Sequence, residues 1–166
     1  MTVHDGAGRT ADWLRRLETK VPPPLVALVI VAGMWFVARL TPVVSMPDLL
    51  RLQVAGVLAA VGAAFAVAGS RAFRKAGTTV NPLKPERASR LVDEGVFQIS
   101  RNPMYLGLLL GLLALAVYLA APVVLVGPIA FAGYIQRFQI RPEERALEAK
   151  FGAEYVDYKR RVRRWL

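Results

Sequence analysis

The sequence predicts an all-α membrane protein: about four transmembrane helices followed by a cytosolic C-terminal amphipathic helix. Three observations predict it. Hydrophobic residues make up 55% of the 166, and mean hydropathy is +0.38. The charges fall in blocks separated by long uncharged runs. Lys and Arg crowd alternate connections and are missing from the interiors of the others, the pattern of a chain that crosses a bilayer several times. The length suits one integral membrane domain, 1–166.

Residues 1–24 read as a cytosolic tail. It is polar, with Gly6, Gly8, Arg9, Arg15, Arg16 and Lys20, and Trp13, Leu14 and Leu17 suit a short interfacial helix. No small-residue cleavage site follows the apolar run, so it does not read as a signal peptide. Pro22-Pro23-Pro24 interrupts the chain. Residues 25–70 hold the first two spans. Leu25–Leu40 has Arg39 as its one charge, at an end where it can snorkel. A turn with Pro42 and Pro47 follows. Leu52–Ser70 is uncharged between Arg51 and Arg71, and its Gly56, Ala60, Ala63, Ala64 and Gly69 permit close helix approach in lipid.

Residues 71–101 form a long loop, and loops of about this length in a compact chain are usually functional or disordered. Leu91, Val92, Val96 and Phe97 alternate with polar and turn residues, and Gly95 suits a tight turn. Residues 102–138 read as a helical hairpin. Asn102–Gln136 carries no charge. As one helix it would be about 52 Å long against a hydrocarbon core of about 30 Å, so it must fold back, and Ala121-Pro122 is the expected break. Gly107 and Gly111 make a small-xxx-small pair, and Gly127-Pro128 suits a kink.

Residues 139–166 read as a cytosolic segment, with Pro142–Leu166 as one amphipathic helix. Leu147, Phe151, Tyr155, Tyr158 and Val162 recur at intervals of four and three and mark one face. Glu143 and Glu144 open it and Arg160, Arg161, Arg163 and Arg164 close it, matching the helix dipole. Gly152 within it calls for a bend or a close approach. Trp165 suits the membrane interface.

Counting Lys and Arg by segment gives four in the tail, seven in the long loop and nine from Arg137 onward, with none inside the other two turns. The positive-inside rule then places both termini and the long loop on the cytoplasmic side of the inner membrane. The net charge of +10 is mostly topological and points to anionic lipid rather than nucleic acid. With no cysteine, disulfides, thiolate metal sites and a Cys nucleophile are excluded, and the one histidine, His4, lies in the tail. No metal site is expected, and no glycine-rich dinucleotide motif is present.

Three features then share one side: the long loop, the stretch Ser100-Arg101-Asn102-Pro103-Met104-Tyr105-Leu106-Gly107, and Arg141–Glu144. Arg101 is the last charge before the uncharged run and belongs at the membrane face. Pro103 suits the first turn of a helix, with Asn102 as its cap. The plainer account of this edge is an interfacial anchor, with Arg101 and Tyr105 meeting headgroups.

These residues resemble a known family. Leu91-Val92, Gly95-Val96-Phe97 and Arg101-Asn102-Pro103-Met104-Tyr105-Leu106-Gly107, then Pro142-Glu143-Glu144, Leu147, Phe151-Gly152, Tyr155, Tyr158 and Val162, resemble the isoprenylcysteine carboxyl methyltransferases. The related phospholipid N-methyltransferases look similar more distantly. The resemblance covers about 77–166, and its compound pattern is more specific than any one piece. It implies membrane helices that hold S-adenosyl-L-methionine at the cytosolic face without a Rossmann sheet. The cofactor residues it implies are Ser89, Arg90, Leu91 and Val92 in the loop, then Phe97, Asn102, Pro103, Met104, Tyr105 and Glu143. Glu143 would pair with the cofactor's α-ammonium group, backbone amides near Asn102 with its carboxylate, and Tyr105 and Phe97 with adenine. Catalytic roles fall to Arg141 and Glu144. Eukaryotic members commonly have His at the position of Asn102 and Tyr at that of Phe97. The family's substrate-side arginine falls near Gln139 by strict spacing, with Arg137 and Arg141 as the nearby arginines. The implied substrate is a lipophilic small molecule or lipid entering from the bilayer. Its acceptor is a carboxylate by preference, with an amine or thiol as the alternative. Two other classes compete: a membrane reductase using NADPH, and a non-enzymatic four-helix membrane protein.

Overall fold

The computed structural model describes residues 18–77 and 89–166. The expected helix around Trp13, Leu14 and Leu17 and the loop stretch 78–88 lie outside the described residues. Every regular element among those described is helical.

Helix α1 spans Pro23–Ala38, with prolines in its first turn. The proline run thus starts a helix as well as interrupting the chain, because the N–H groups it lacks would have no intrahelical partner there. Helix α2 spans Asp48–Lys75, longer at both ends than the uncharged run. Asp48 in the first turn suits the positive helix end and accepts from Arg51 Nη2 at 2.8 Å. At the other end Ala72 and Phe73 are held by packing against the loop. Helix α3 spans Pro103–Leu119 and stops at Ala120, which adopts a left-handed conformation, φ +50°. A 3₁₀ turn, Pro122–Leu125, reverses the chain where the hairpin break is expected.

From there Pro122–Phe151 is one continuous 30-residue helical rod. Within it, α4 is Val126–Ile135, a π-helical turn occupies Gln136–Ile140, and α5 is Arg141–Phe151. The π turn has a local cause. In an α-helix the Phe138 carbonyl would accept from residue 142, but Pro142 has no N–H and its ring crowds that carbonyl. The Arg141 N–H instead reaches five residues back to Gln136 O. The single amphipathic helix expected over Pro142–Leu166 is replaced by two. Gly152, at φ +53° and ψ −123°, separates α5 from α6, Ala153–Arg161. A Cβ there would meet nothing within 4 Å, so the glycine serves the bend rather than a close approach.

By length and composition, Asp48–Lys75 and Pro122–Phe151 are apolar and long enough to cross a membrane, and α1 and α3 are shorter apolar helices. Large side chains face outward along them, Leu49 at 70% and Ile129 at 71% exposure, a surface suited to a bilayer rather than water. Helix α3 packs chiefly on α2 and also contacts α1 and α4. One core cluster joins α1, α3 and α4 around Met34, Leu112, Phe131 and Ile135. A smaller one holds Leu91, Phe97, Tyr155, Tyr158 and Val162, with Leu147 and Phe151 against it, so the stripe read from the sequence is the buried one.

Helices α2 and α3 approach closely at Gly62 and Gly107. A Cβ on Gly107 would lie 2.5 Å from Gly62 O and 3.0 Å from Ala66. Gly111, paired with Gly107 by spacing, meets nothing within 4 Å. Gly107→Ala is therefore expected to force backbone apart and lose about 1–3 kcal/mol, the usual scale of overpacking. Gly111→Ala should be silent by comparison. Thermal unfolding of both variants in detergent checks this.

Candidate functional site

The two turns meet at one end of the bundle, where Val44 N–H donates to Ala120 O at 2.7 Å. At the other end, polar bonds join the segment before α1, the long loop, the start of α3 and the C-terminal segment. The three features expected at one mouth are thus brought together.

Arg101 is the bolt of this end. Its Nη1 donates to Lys159 O at 3.1 Å and Val162 O at 3.0 Å, and its Nη2 to Glu144 Oε1 at 2.7 Å. Its backbone N–H donates to Arg163 O at 3.0 Å. A guanidinium on the last carbonyls of α6 satisfies groups that have no intrahelical donor and suits the negative helix end. Glu144 is gripped from the other side as well: Arg164 Nε donates to Oε1 at 3.0 Å and Nη2 to Oε2 at 2.6 Å. That hydrogen bond holds the Arg164 guanidinium above its ordinary pKa. Both side chains of the Arg101–Glu144 pair are largely buried, 10% and 14% exposed.

Asn102 does not cap α3 with its side chain. Its Nδ2 donates to Arg164 O at 2.9 Å, and its backbone N–H donates to Ser100 Oγ at 3.1 Å. Ser100 is fully buried. Asn102 is thus committed to closing the C-terminal segment over the start of α3. Pro103 is buried against Gly69, and Met104 lies beside both Gly69 and the Ser70 hydroxyl, 3.6 Å from its sulfur. The next residue, Tyr105, is buried and its hydroxyl donates to Glu143 Oε1 at 2.5 Å. This contact joins α3 to α5. No bond to Glu143 Oε2 occurs among the described residues, so that oxygen keeps its capacity to accept.

Glu143 and Glu144 therefore differ sharply. Glu144 spends both oxygens on guanidinium groups, and Glu143 has one phenol partner. Arg141 is exposed and has no side-chain partner among the described residues. Gln139, where strict spacing puts the substrate-side residue, is fully buried. Its Nε2 donates to Val21 O at 2.7 Å, and its Oε1 has no partner among the described residues. Arg137 is paired instead, donating to Glu18 at 2.6 Å.

The loop residues are spread out. Leu91 and Phe97 lie in the smaller core cluster, where Phe97 meets Phe73 edge-on at 5.2 Å and its carbonyl accepts from Tyr158 Oη at 2.8 Å. Burial pushes the phenols of Tyr155 and Tyr158 up, so both stay neutral. Gly95 takes the left-handed turn expected of it, φ +62°. Arg90, Leu91 and Val92 line a half-open cleft beside the end of α2, and Ser89 is exposed next to it. Sequence reasoning gave Ser100 no role and missed the clasp of Arg164 on Glu144. Trp165, read as interfacial, is partly buried: its Nε1 donates to Gln136 at 3.2 Å and its ring packs on the main core. The clustered C-terminal arginines were the one available signal.

A helical membrane bundle with a carboxylate held at its polar mouth defines the class. Comparison with known proteins defines the family: the pattern described as phospholipid methyltransferase matches residues 50–154, well over half of the chain, and the chain belongs to that family. It is 52% identical over 63 residues to an uncharacterized protein of Haemophilus influenzae, covering 38% of this chain and all of that one. It is 40% identical over 83 residues to Protein-S-isoprenylcysteine O-methyltransferase B of Arabidopsis thaliana. That match covers 48% of this chain and 41% of the plant protein. No solved structure matches.

Proposed function

We propose that this chain is a multi-pass membrane methyltransferase that uses S-adenosyl-L-methionine to methylate a carboxylate on a lipophilic substrate at the cytoplasmic face. The observation that carries it is the Tyr105–Glu143 pair, a carboxylate with one open oxygen at the mouth where three distant segments converge. Membership of the phospholipid methyltransferase family and the name of the plant relative support the reaction class. In this reading α1, α2, α3 and the Pro122–Phe151 rod are four spans. The uncharged turns lie outside and the basic segments inside.

The residues present suit the cofactor. Glu143 Oε2 is free to accept from an α-ammonium group, and Tyr105 holds the carboxylate in place. When bound, S-adenosyl-L-methionine supplies a sulfonium methyl group, and the protein supplies position and a dry site. The Arg101–Glu144–Arg164 clasp closes the C-terminal segment and excludes water, so Glu144 acts through the two arginines. Arg141, without a side-chain partner among the described residues, is the guanidinium available to an anionic acceptor, and the lipid-facing helices admit its apolar part sideways. A carboxylate attacks without losing a proton, which suits a mouth with no histidine or thiol among the described residues. An amine acceptor on the same site is the second reading, and a family described as phospholipid methyltransferase leaves room for it. It needs a proton acceptor, and Glu144, with both oxygens engaged, is poorly placed for that role.

Methyl-labelled cofactor incubated with the purified protein and matched lipophilic acids, amines and thiols tests the reading. Label is expected in the acid as a base-labile ester. Base-stable label in the amine would replace the first reading with the second, and no transfer to any acceptor would contradict both.

A further inference from the structure

We propose that the segment Glu18–Val21 is a strap that fixes the register of the π turn, with Glu18 and Thr19 as positioning residues for Glu143. Among the described residues, four bonds dock the segment. Thr19 N–H donates to Phe138 O at 2.9 Å. That carbonyl is the one Pro142 leaves without its α-helical donor, so the strap supplies it with a donor from outside the rod. Gln139 Nε2 donates to Val21 O at 2.7 Å. Glu18 accepts from Arg137 on Oε1 at 2.6 Å and from Arg145 on Oε2 at 2.5 Å, so one carboxylate ties the π turn to the helix beyond it. The Glu18 side chain is only 13% exposed, whereas Arg145 is 59% exposed. Thr19 sits at φ +56°, a conformation that threonine adopts reluctantly, so surrounding contacts must hold it there.

The register matters because a π turn adds a residue to the helix. Relaxing it to α geometry would rotate everything beyond it by about 100°. Glu143 lies three residues beyond the π turn, and its bond to Tyr105 depends on that rotation. Pro142 favours the wide turn, and the strap caps the carbonyl it exposes. Nothing in the charge pattern announces this, since Glu18 lies 119 residues from Arg137.

The consequence for cofactor affinity rests on the proposed function; the strap itself does not. Full-length protein in detergent, wild type and Glu18→Gln, is compared by amide exchange over 136–144 and by S-adenosyl-L-methionine calorimetry. Exchange there is expected to rise and affinity to fall, each roughly tenfold, the scale of a contact that acts through another residue. The chain has no cysteine, so Glu18→Cys/Arg145→Cys joined by a short thiol linker is a clean rescue. Joining should restore both readouts, and it keeps the test usable if Glu18→Gln alone folds poorly. Unchanged exchange in Glu18→Gln would overturn the strap whatever the cofactor does. Faster exchange with unchanged affinity, while Glu143→Ala still weakens binding, would overturn the positioning role and leave the function standing. If wild type binds no cofactor, the function fails, and exchange with its rescue still decides the strap.

Discussion

Arg101→Ala is expected to release the C-terminal segment. The guanidinium makes two bonds to the end of α6 and one to Glu144, and it is nearly buried. Removing one partner of a buried ion pair typically costs about 3–5 kcal/mol, because the other charge is left behind. Arg164 continues to hold Glu144, which favours the lower end. Arg101→Lys should recover only part of the loss, since an ammonium cannot present the planar fork that reaches three acceptors. Limited proteolysis within 150–166, followed by mass, reads the release directly. Arg141→Ala, at an exposed side chain without a partner among the described residues, is the matched control and should stay within about 0.5 kcal/mol of wild type. If Arg101→Ala resisted proteolysis as wild type does, Arg101 would be an interfacial anchor after all.

Glu143→Ala is expected to weaken S-adenosyl-L-methionine binding by roughly thirtyfold or more, the scale for truncating one member of a hydrogen-bonded charge pair in a buried site. Tyr105→Phe keeps the ring and removes the hydroxyl that holds Glu143. It should therefore cost less, about fivefold, in line with one hydrogen bond. The two effects should be less than additive in the double variant, because Tyr105 acts on the cofactor through Glu143. Calorimetry on the four proteins gives the cycle. Full additivity would mean that Tyr105 and Glu143 act independently and that their contact is incidental.

Much of this architecture was legible in the sequence because lipid imposes simple constraints. Charge spacing located the helical runs and their reversal, since a 35-residue uncharged stretch cannot be one span. The same charges brought the long loop, Arg101 and Glu143 to one end. The stripe from Leu147 to Val162 named the smaller core. What stayed hidden depends on pairing at a distance. Gly62 gave no signal, because nothing local says which helix it faces; its partner is Gly107, on α3. The π turn was foreshadowed by Pro142, whose missing N–H orphans a carbonyl four residues back, but the donor that fills it belongs to Thr19. Glu143 and Glu144 look alike in sequence. Only the fold separates the carboxylate with an open oxygen from the one clasped by Arg101 and Arg164.

The central claim is that the mouth around Tyr105 and Glu143 binds S-adenosyl-L-methionine. Calorimetry of the purified wild-type protein in detergent, with S-adenosyl-L-methionine and NADPH titrated separately, tests it most directly. The account predicts saturable one-to-one binding of S-adenosyl-L-methionine in the micromolar range and no heat from NADPH. Binding of NADPH alone would contradict it in favour of a reductase. Folded protein that bound neither would contradict it in favour of a non-enzymatic helical membrane protein.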